Sequence, residues 1–300
     1  MDKKIEENGQ QKLLHDIELP LAHVLSSMEQ TGFAVDRDGI AEFGKQLGGR
    51  IAEIEQEIYA LVGYEFNLNS PKQLGEALFE KLKLPARKKT KSGYSTDAQV
   101  LESLENKPPA VRDILEYRTL SKLRSTYCDG LLKVIGEDGR IRSTLNQTET
   151  RTGRISSTEP NLQNIPVRSP LGREMRKFFV ARDGYVLVDA DYSQIELRVL
   201  AHISGDQNMI KAFNDNTDIH TVTASEVFDM PPQLVTPIMR SRAKAVNFGI
   251  VYGIGAFSLA KDIGVSRSEA DEYIKGYLRH YSGVDKYMHD VVEKAKKDGY

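Results

Sequence analysis

Residues 185–198 read YVLVDADYSQIELR, and this segment decides the fold. The pattern over 185–190 predicts a short buried strand, which runs at once into a helix over 192–203. The two-residue period of a strand puts Asp189 and Asp191 on the same side, with Asp191 closing the strand beside a free backbone carbonyl. Oxygen ligands of this kind suit Mg²⁺, which binds carboxylates together with phosphates and water. The alternative is that Asp191 only caps the helix, because Asp is common at that position.

A second segment, residues 240–253, reads RSRAKAVNFGIVYG and predicts a helix with two chemically different ends. Arg240, Lys244, Phe248 and Tyr252 are spaced by four, so they drift only about 120° around a helix while rising about 18 Å along it. Two cations suit phosphates, and two rings suit a base or a sugar, as a nucleoside triphosphate requires. The alternative is an amphipathic helix with both rings in the core and both cations in solvent.

A polar segment, residues 152–166, reads TGRISSTEPNLQNIP and is typical of a loop. It carries Arg154, Asn161, Gln163 and Asn164. The DNA minor groove presents similar acceptors on every base pair, so side-chain donors check pair geometry there without reading sequence. The alternative is that these side chains satisfy the backbone of their own loop.

Basic residues are concentrated in the helical first half of the chain. Arg118, Lys122 and Arg124 stand on a predicted long helix that follows residues 108–109, and a basic tip (RKKTK) occupies residues 87–91. These cations supply local positive charge for phosphates although the formal net charge is only −2. For the tip, a solvated run of charge is an equally good interpretation.

Four segments together resemble one family. Residues 191–198, DYSQIELR, closely resemble the first catalytic motif of family A DNA polymerases, the bacterial DNA polymerase I group. Residues 240–253 resemble the fingers helix that binds the incoming nucleotide, residues 152–166 the primer–template segment, and residues 116–127 (EYRTLSKLRSTY) the thumb. The resemblance implies a DNA-directed DNA polymerase that adds dNTPs to a primer 3′-OH by two-metal phosphoryl transfer.

The resemblance also implies roles for individual residues. Asp191 would ligate both Mg²⁺ ions, the Tyr192 carbonyl would ligate one, and Glu196 would exclude a ribose 2′-OH by clash and desolvation. The same Glu196 argues against a single-subunit RNA polymerase. The implied catalytic residues are Asp191, Arg240 and Lys244. The implied nucleotide-binding residues are Gln194, Glu196, His220, Arg240, Lys244, Phe248 and Tyr252. The implied DNA-binding residues are Arg118, Lys122, Arg124, Arg154, Asn161, Gln163 and Asn164.

The composition is that of an ordinary globular protein. Of the 300 residues, 40% are hydrophobic and 28% are charged, which is enough for a sizeable core. The single cysteine excludes an internal disulfide, and with six His a Cys/His zinc site is not expected. No segment matches a signal peptide or a bilayer span. We therefore expect a cytoplasmic monomer whose partners are primer–template DNA and dNTPs, without a membrane.

The order of elements, a helical arm followed by strands and then a helical block, predicts an α+β fold. With the resemblance, this becomes a right-hand polymerase with thumb, partial palm and fingers, whose palm sheet is incomplete. The predicted domain bounds are 1–36 for a lead-in and palm-associated segment, 37–135 for the helical thumb, 136–204 for the partial palm with the first catalytic motif, and 205–300 for the fingers.

The second metal-binding carboxylate of the family is missing from this stretch of sequence. The family supplies it from a strand hairpin downstream of the nucleotide-binding helix. No segment of this sequence matches that hairpin. We therefore expect a C-terminally truncated polymerase module that does not extend primers alone, and an unpaired or solvent-exposed flank on the strand at 185–190. The alternative is a non-catalytic DNA-binding fragment, which needs neither dNTPs nor Mg²⁺.

Overall fold

The computed structural model describes residues 2–86, 89–90, 93–104, 108–167 and 169–299. The chain divides into two compact units, residues 1–188 (the first unit) and residues 189–300 (the second unit). Each unit has its own hydrophobic core. The boundary falls inside the predicted palm segment 136–204, so the finer division into thumb, palm and fingers stays a prediction. Within the described residues, no helix combines the length and apolarity that crossing a bilayer requires.

The first unit is mainly helical. Its helices and helical turns are Asp2–Glu7, Leu13–Glu18 (π), Leu19–Thr31, Arg37–Val62, Pro71–Gly75, Glu76–Lys81 (π), Ala98–Glu102, Pro109–Lys122, Leu123–Asp129 (π), Gly130–Leu132, Leu162–Asn164 (3₁₀) and Pro170–Arg176. Among the described residues of this unit, three two-stranded antiparallel ladders accompany them: Phe33–Ala34 with Arg140–Ile141, Lys89–Thr90 with Gly93–Tyr94, and Thr144–Asn146 with Ser156–Thr158.

The core of the first unit is built on its longest helix, Arg37–Val62. Asp36 caps this helix by accepting a hydrogen bond at 2.9 Å from the backbone N–H of its first turn. Apolar residues at helical spacing, among them Ile40 and Ile54, are fully buried. They pack against the helix Pro109–Lys122, which continues as helical turns to Leu132. The long helix predicted after residues 108–109 is therefore present.

The predicted strand at 185–190 is wrong. Residues 185–190 have no regular secondary structure, and Val186 and Val188 are 81% and 83% exposed. No described strand pairs with this segment. A strand is stabilised by its ladder partners rather than by its own pattern, so alternation without a partner leaves an extended apolar segment. The expected solvent exposure of this segment is confirmed.

The second unit is helical throughout its regular structure. Its helices are Ile195–Ser204, Gln207–Asn214, Ile219–Val227, Pro232–Leu234 (3₁₀), Pro237–Val251, Ala256–Ile263, Arg267–His280 and Ser282–Asp298. Leu197, Met209, Leu259, Tyr277 and Tyr281 are completely buried in its core. The helix Ile195–Ser204 packs against the next helix, Gln207–Asn214, and also against Pro237–Val251 and Ser282–Asp298.

Two helical glycines with different surroundings give a test of packing. A Cβ at Gly249 would overlap Cγ2 of Ile254 and come within 3.3 Å of its Cβ, whereas a Cβ at Gly49 meets open space. Helix propensity alone favours Ala at both sites by about 1 kcal/mol. We expect Gly249→Ala to lower the free energy of unfolding by about 1–3 kcal/mol because of overpacking, and Gly49→Ala to raise it. Urea unfolding of both variants checks this, and a stabilising Gly249→Ala would contradict it.

Candidate functional site

Asp191 lies on the surface at the start of the second unit and does not cap the following helix. Its Oδ1 accepts a hydrogen bond at 2.8 Å from the backbone N–H of Tyr192. The helix begins only at Ile195, and its N-cap position is Gln194, which has a left-handed backbone with φ +57°. The capping alternative is therefore wrong, and the carboxylate of Asp191 is exposed in the segment that precedes the helix.

The surroundings of Asp191 fit a cation only in part. Asp191 and the neighbouring Asp189 are both exposed, and the described residues contain no group of three or more metal-ligating side chains. A hard cation takes several oxygen ligands, so one carboxylate and a backbone carbonyl are part of a site. Glu196 is half-buried in the first helical turn, and Oε1 of Gln194 is buried without a hydrogen-bond partner in the described structure.

The helix Pro237–Val251 presents the predicted triphosphate residues on its surface. Thr236 caps it through the backbone N–H of Met239, and the helix ends before Tyr252, which is 60% exposed. Lys244 is exposed and Phe248 is half-buried. The alternative with both rings in the core is therefore wrong, because the buried face of this helix is formed by other residues. That face consists of Ala243, Val246, Asn247, Gly249 and Ile250.

Arg240 is bound by a carboxylate that sequence reasoning missed. Asp218 accepts two hydrogen bonds from the Arg240 guanidinium, at 2.5 and 3.2 Å. Burial raises the pKa of Asp218, but hydrogen bonds from Arg240, from the Thr221 hydroxyl and from the His220 backbone N–H outweigh burial and bring this pKa to about 2. Asp218 is the N-cap of the helix Ile219–Val227, where its negative charge is favourable, and it holds the Arg240 guanidinium at that end of the helix.

His220 is buried beside Phe248, with 5.8 Å between the ring centroids. Its Nδ1 is 3.0 Å from Nδ2 of Asn247, and its Nε2 is buried without a partner in the described structure. Burial is the main cause that lowers the pKa of His220 to about 4; the charge of Asp218 opposes this shift, and the charges of Arg240 and Lys244 add to it. The imidazole is therefore neutral at neutral pH. The structure thus brings His220, Phe248 and Arg240 together, with Lys244 on the helix that carries Phe248 and Arg240.

Acidification is expected to destabilise the protein through His220. The pKa of this group is about 4 in the folded chain against 6.5 for an unperturbed His. Between those values the unfolded state binds more protons, so the free energy of unfolding falls as the pH drops, by up to about 3 kcal/mol. Asp218, with its pKa lowered to about 2, adds a further loss only below about pH 4. Urea unfolding at pH 4.5 and 7 checks this. An equally steep pH dependence in His220→Gln would contradict it.

In the first unit, one groove brings together residues from two predicted DNA-binding segments. Lys122 lines a cavity of about 510 Å³ together with Asn161 and Asn164. The hydroxyl of Tyr127 donates a hydrogen bond to the Asn164 carbonyl, which fixes the loop against the helical arm. Lys122 and both Asn side chains are exposed. The groove is therefore polar and carries a cation, as a surface that contacts a nucleic-acid backbone requires.

The other predicted DNA-binding residues lie in different settings. Arg118 is half-buried and donates to Thr96, with a shortest distance of 2.5 Å, and burial lowers its pKa. Arg124 lies against Gly48 and is 3.9 Å from the Asp129 carboxylate. Gln163 donates at 2.9 Å to a backbone carbonyl of its own loop. The loop also contains Arg154. The side chains of the predicted basic tip at 87–91 lie outside the described residues.

These features belong to one family. The model for DNA polymerase family A matches residues 37–300, and the chain therefore belongs to this family. Its α+β fold agrees with a solved structure, the POL domain of Pol1 from M. smegmatis in complex with DNA primer-template and dNTP. That structure is 42% identical with a TM-score of 0.89, and the match covers 100% of this chain and 53% of the other.

Curated relatives give the same assignment. DNA polymerase I of Caldicellulosiruptor bescii is 53% identical over 297 residues, which are 99% of this chain and 35% of that protein. DNA polymerase I of Bacillus subtilis is 51% identical over 300 residues, 99% of this chain and 34% of that protein. The chain thus spans about a third of the length of these relatives.

Proposed function

We propose that this chain forms the nucleotide-binding and duplex-binding part of a DNA-directed DNA polymerase, which adds dNTPs to a primer 3′-OH under the direction of a template. The observation that carries the proposal is the grouping of Arg240, His220 and Phe248 beside Lys244 in the second unit. Membership in family A, and a structural neighbour bound to primer-template and dNTP, support it. The cytoplasmic location and monomeric state remain predictions.

Each of the grouped residues would make a different contact with a triphosphate. Lys244 is free of ion pairs with described residues, so it offers a full charge to a phosphate oxygen. Arg240 would exchange the Asp218 carboxylate for phosphate, with the same bidentate geometry. His220 would donate a hydrogen bond, and the rings of Phe248 and Tyr252 would contact the sugar and base. Gln194 stays in the proposed nucleotide-binding set.

Metal binding in this proposal starts from Asp191. Asp191 and the Tyr192 carbonyl would hold Mg²⁺ together with ligands from outside this stretch of sequence. When bound, such ions lower the pKa of the primer 3′-OH and stabilise the leaving pyrophosphate. The contribution of this chain is an exposed carboxylate held by its hydrogen bond to the Tyr192 N–H.

Binding to primer–template DNA is proposed for the first unit. Lys122, Asn161 and Asn164 line one groove, so a phosphate and a base edge can be contacted from neighbouring positions. Arg154 and Gln163 lie in the same loop, while Arg118 and Arg124 would have to change partners to reach DNA. A DNA-binding fragment without catalysis remains the second candidate. Titration with primer–template, with and without dNTP, separates the two, since only a polymerase site couples both ligands.

Glu196 is proposed to select deoxyribose. In a polymerase-active protein that carries this chain, we expect Glu196→Ala to raise the ratio of kcat/KM for rNTPs to that for dNTPs by about 10- to 100-fold, because the bulk under the sugar is removed. Glu196→Gln keeps the bulk and is the matched control. Single-nucleotide incorporation assays measure both variants. Unchanged selectivity in the Ala variant would remove this role.

A further inference from the structure

A chain of buried polar side chains crosses the apolar core of the second unit. The Tyr281 hydroxyl lies 3.2 Å from Oγ1 of Thr223, which donates to Oδ1 of Asn247 at 3.1 Å. Nδ2 of Asn247 lies 3.0 Å from Nδ1 of His220. All four side chains are at most 1% exposed. Burying these polar side chains costs free energy unless each of them has a hydrogen-bond partner, so it matters which group donates and which accepts in each bond.

In this series of hydrogen bonds, the donor and the acceptor of each bond can be assigned. A Thr hydroxyl has one hydrogen, and since Thr223 gives it to Asn247, the Tyr281 hydroxyl must donate to Thr223. The Asn247 carbonyl is then occupied, so its amide nitrogen, which only donates, faces His220. Nδ1 of His220 is therefore the acceptor, and the proton of the neutral ring is on Nε2.

The series of hydrogen bonds ends at His220, whose Nε2–H is a donor without a described partner. Nε2 of His220 is buried and has no hydrogen-bond partner in the described structure. The ring lies beside Phe248, and Arg240, Lys244 and Asp218 are the charged groups that act on it. A buried donor that lacks a partner beside two cations is suited to an anionic acceptor that arrives with a ligand.

We propose that Asn247, supported by Thr223 and Tyr281, is a positioning residue that holds His220 as its Nε2–H tautomer, ready to donate to a triphosphate oxygen. The proposal rests on the proposed nucleotide site. With the opposite amide orientation, Nδ1 would carry the proton and Nε2 would present a lone pair that repels phosphate. The tautomer of His220 therefore decides between the two arrangements before any nucleotide is added.

The first test is ¹⁵N NMR of histidine-labelled protein without nucleotide at pH 7, with the His220 signals assigned through His220→Gln. We expect a protonated Nε2 and an unprotonated Nδ1. In Asn247→Asp, whose carboxylate only accepts, we expect the proton on Nδ1. For the second test, described next, Tyr281→Phe removes the first donor of the network, and Tyr277→Phe is its matched control, because the two rings are 4.8 Å apart and the Tyr277 hydroxyl has no described partner. An Nδ1–H tautomer in the unmodified protein would overturn the proposal, whether or not the variants fold.

The second test measures dNTP incorporation in a polymerase-active protein that carries this chain. We expect Asn247→Asp to raise KM for dNTP about 10-fold with a smaller change in kcat, Tyr281→Phe to raise it less, and Tyr277→Phe to leave it unchanged. If Asn247→Asp moves the proton but leaves KM unchanged while His220→Gln raises it, the positioning role is wrong. If His220→Gln also leaves KM unchanged, the assignment of His220 to the nucleotide site fails instead, and the positioning proposal falls with it.

Discussion

Asp191→Asn is expected to reduce dNTP incorporation by about 10³-fold in a polymerase-active protein that carries this chain. Asn keeps the shape of the side chain and an oxygen that accepts from the Tyr192 N–H, so the local structure should persist. What is lost is the negative charge that binds a divalent cation. Stabilisation of transition-state charge by a metal is worth several kcal/mol, and about 4 kcal/mol corresponds to this factor.

Asp189→Asn is the matched control for this experiment. Asp189 is two residues earlier in the same irregular segment and is also exposed, so the change in charge and volume is identical. We expect it to retain most of the activity. Single-turnover incorporation at saturating dNTP measures both variants. An Asp191→Asn protein that is as active as the Asp189→Asn protein would exclude Asp191 as a metal ligand.

Lys244→Ala is expected to lower kcat/KM for dNTPs by about 10²- to 10³-fold. The ammonium group is exposed and free of ion pairs with described residues, so its whole charge is available to a triphosphate, where a preorganised donor is worth a factor of this size. Arg240 begins from a pair with Asp218, and its net contribution is smaller by the cost of breaking that pair.

The control for Lys244→Ala is Lys275→Ala. Lys275 is an exposed lysine of the same unit that pairs with Asp271 and Glu272 on its own helix. Its removal should change kcat/KM by less than about twofold, since exposed pairs on a helix contribute little. Steady-state incorporation across a range of dNTP concentrations gives both values. Equal losses in the two variants would show that Lys244 acts only through the net charge of the unit.

Local sequence signals predicted the helices well. The cap at Asp36 and the apolar stripe that begins at Ile40 are contained within one helix, so they could be predicted without knowledge of the rest of the fold. The segment at 185–190 failed because a strand depends on partners that are distant in sequence. The same limit hid the pairing of Phe33–Ala34 with Arg140–Ile141, which are more than a hundred residues apart.

The candidate site shows the same division between local and distant information. The spacing of Arg240, Lys244 and Phe248 lies within one helix, so periodicity alone placed them on a common surface. The Asp218–Arg240 pair and the contact of His220 with Asn247 join two helices, and no local pattern predicts them. The one available signal was Asn247 itself, a polar residue on the buried face of an otherwise apolar run.

Equilibrium binding of dNTP compared with dNMP is the most direct test of the nucleotide site. The cations Arg240 and Lys244 recognise phosphates, so we expect the protein to bind dNTP at least about tenfold more tightly than the matching dNMP. Lys244→Ala should remove most of that difference while leaving dNMP binding unchanged. Isothermal titration calorimetry of the unmodified and variant proteins measures it. Equal affinity for dNTP and dNMP, or a preference that survives in Lys244→Ala, would contradict the assignment of this surface to the triphosphate.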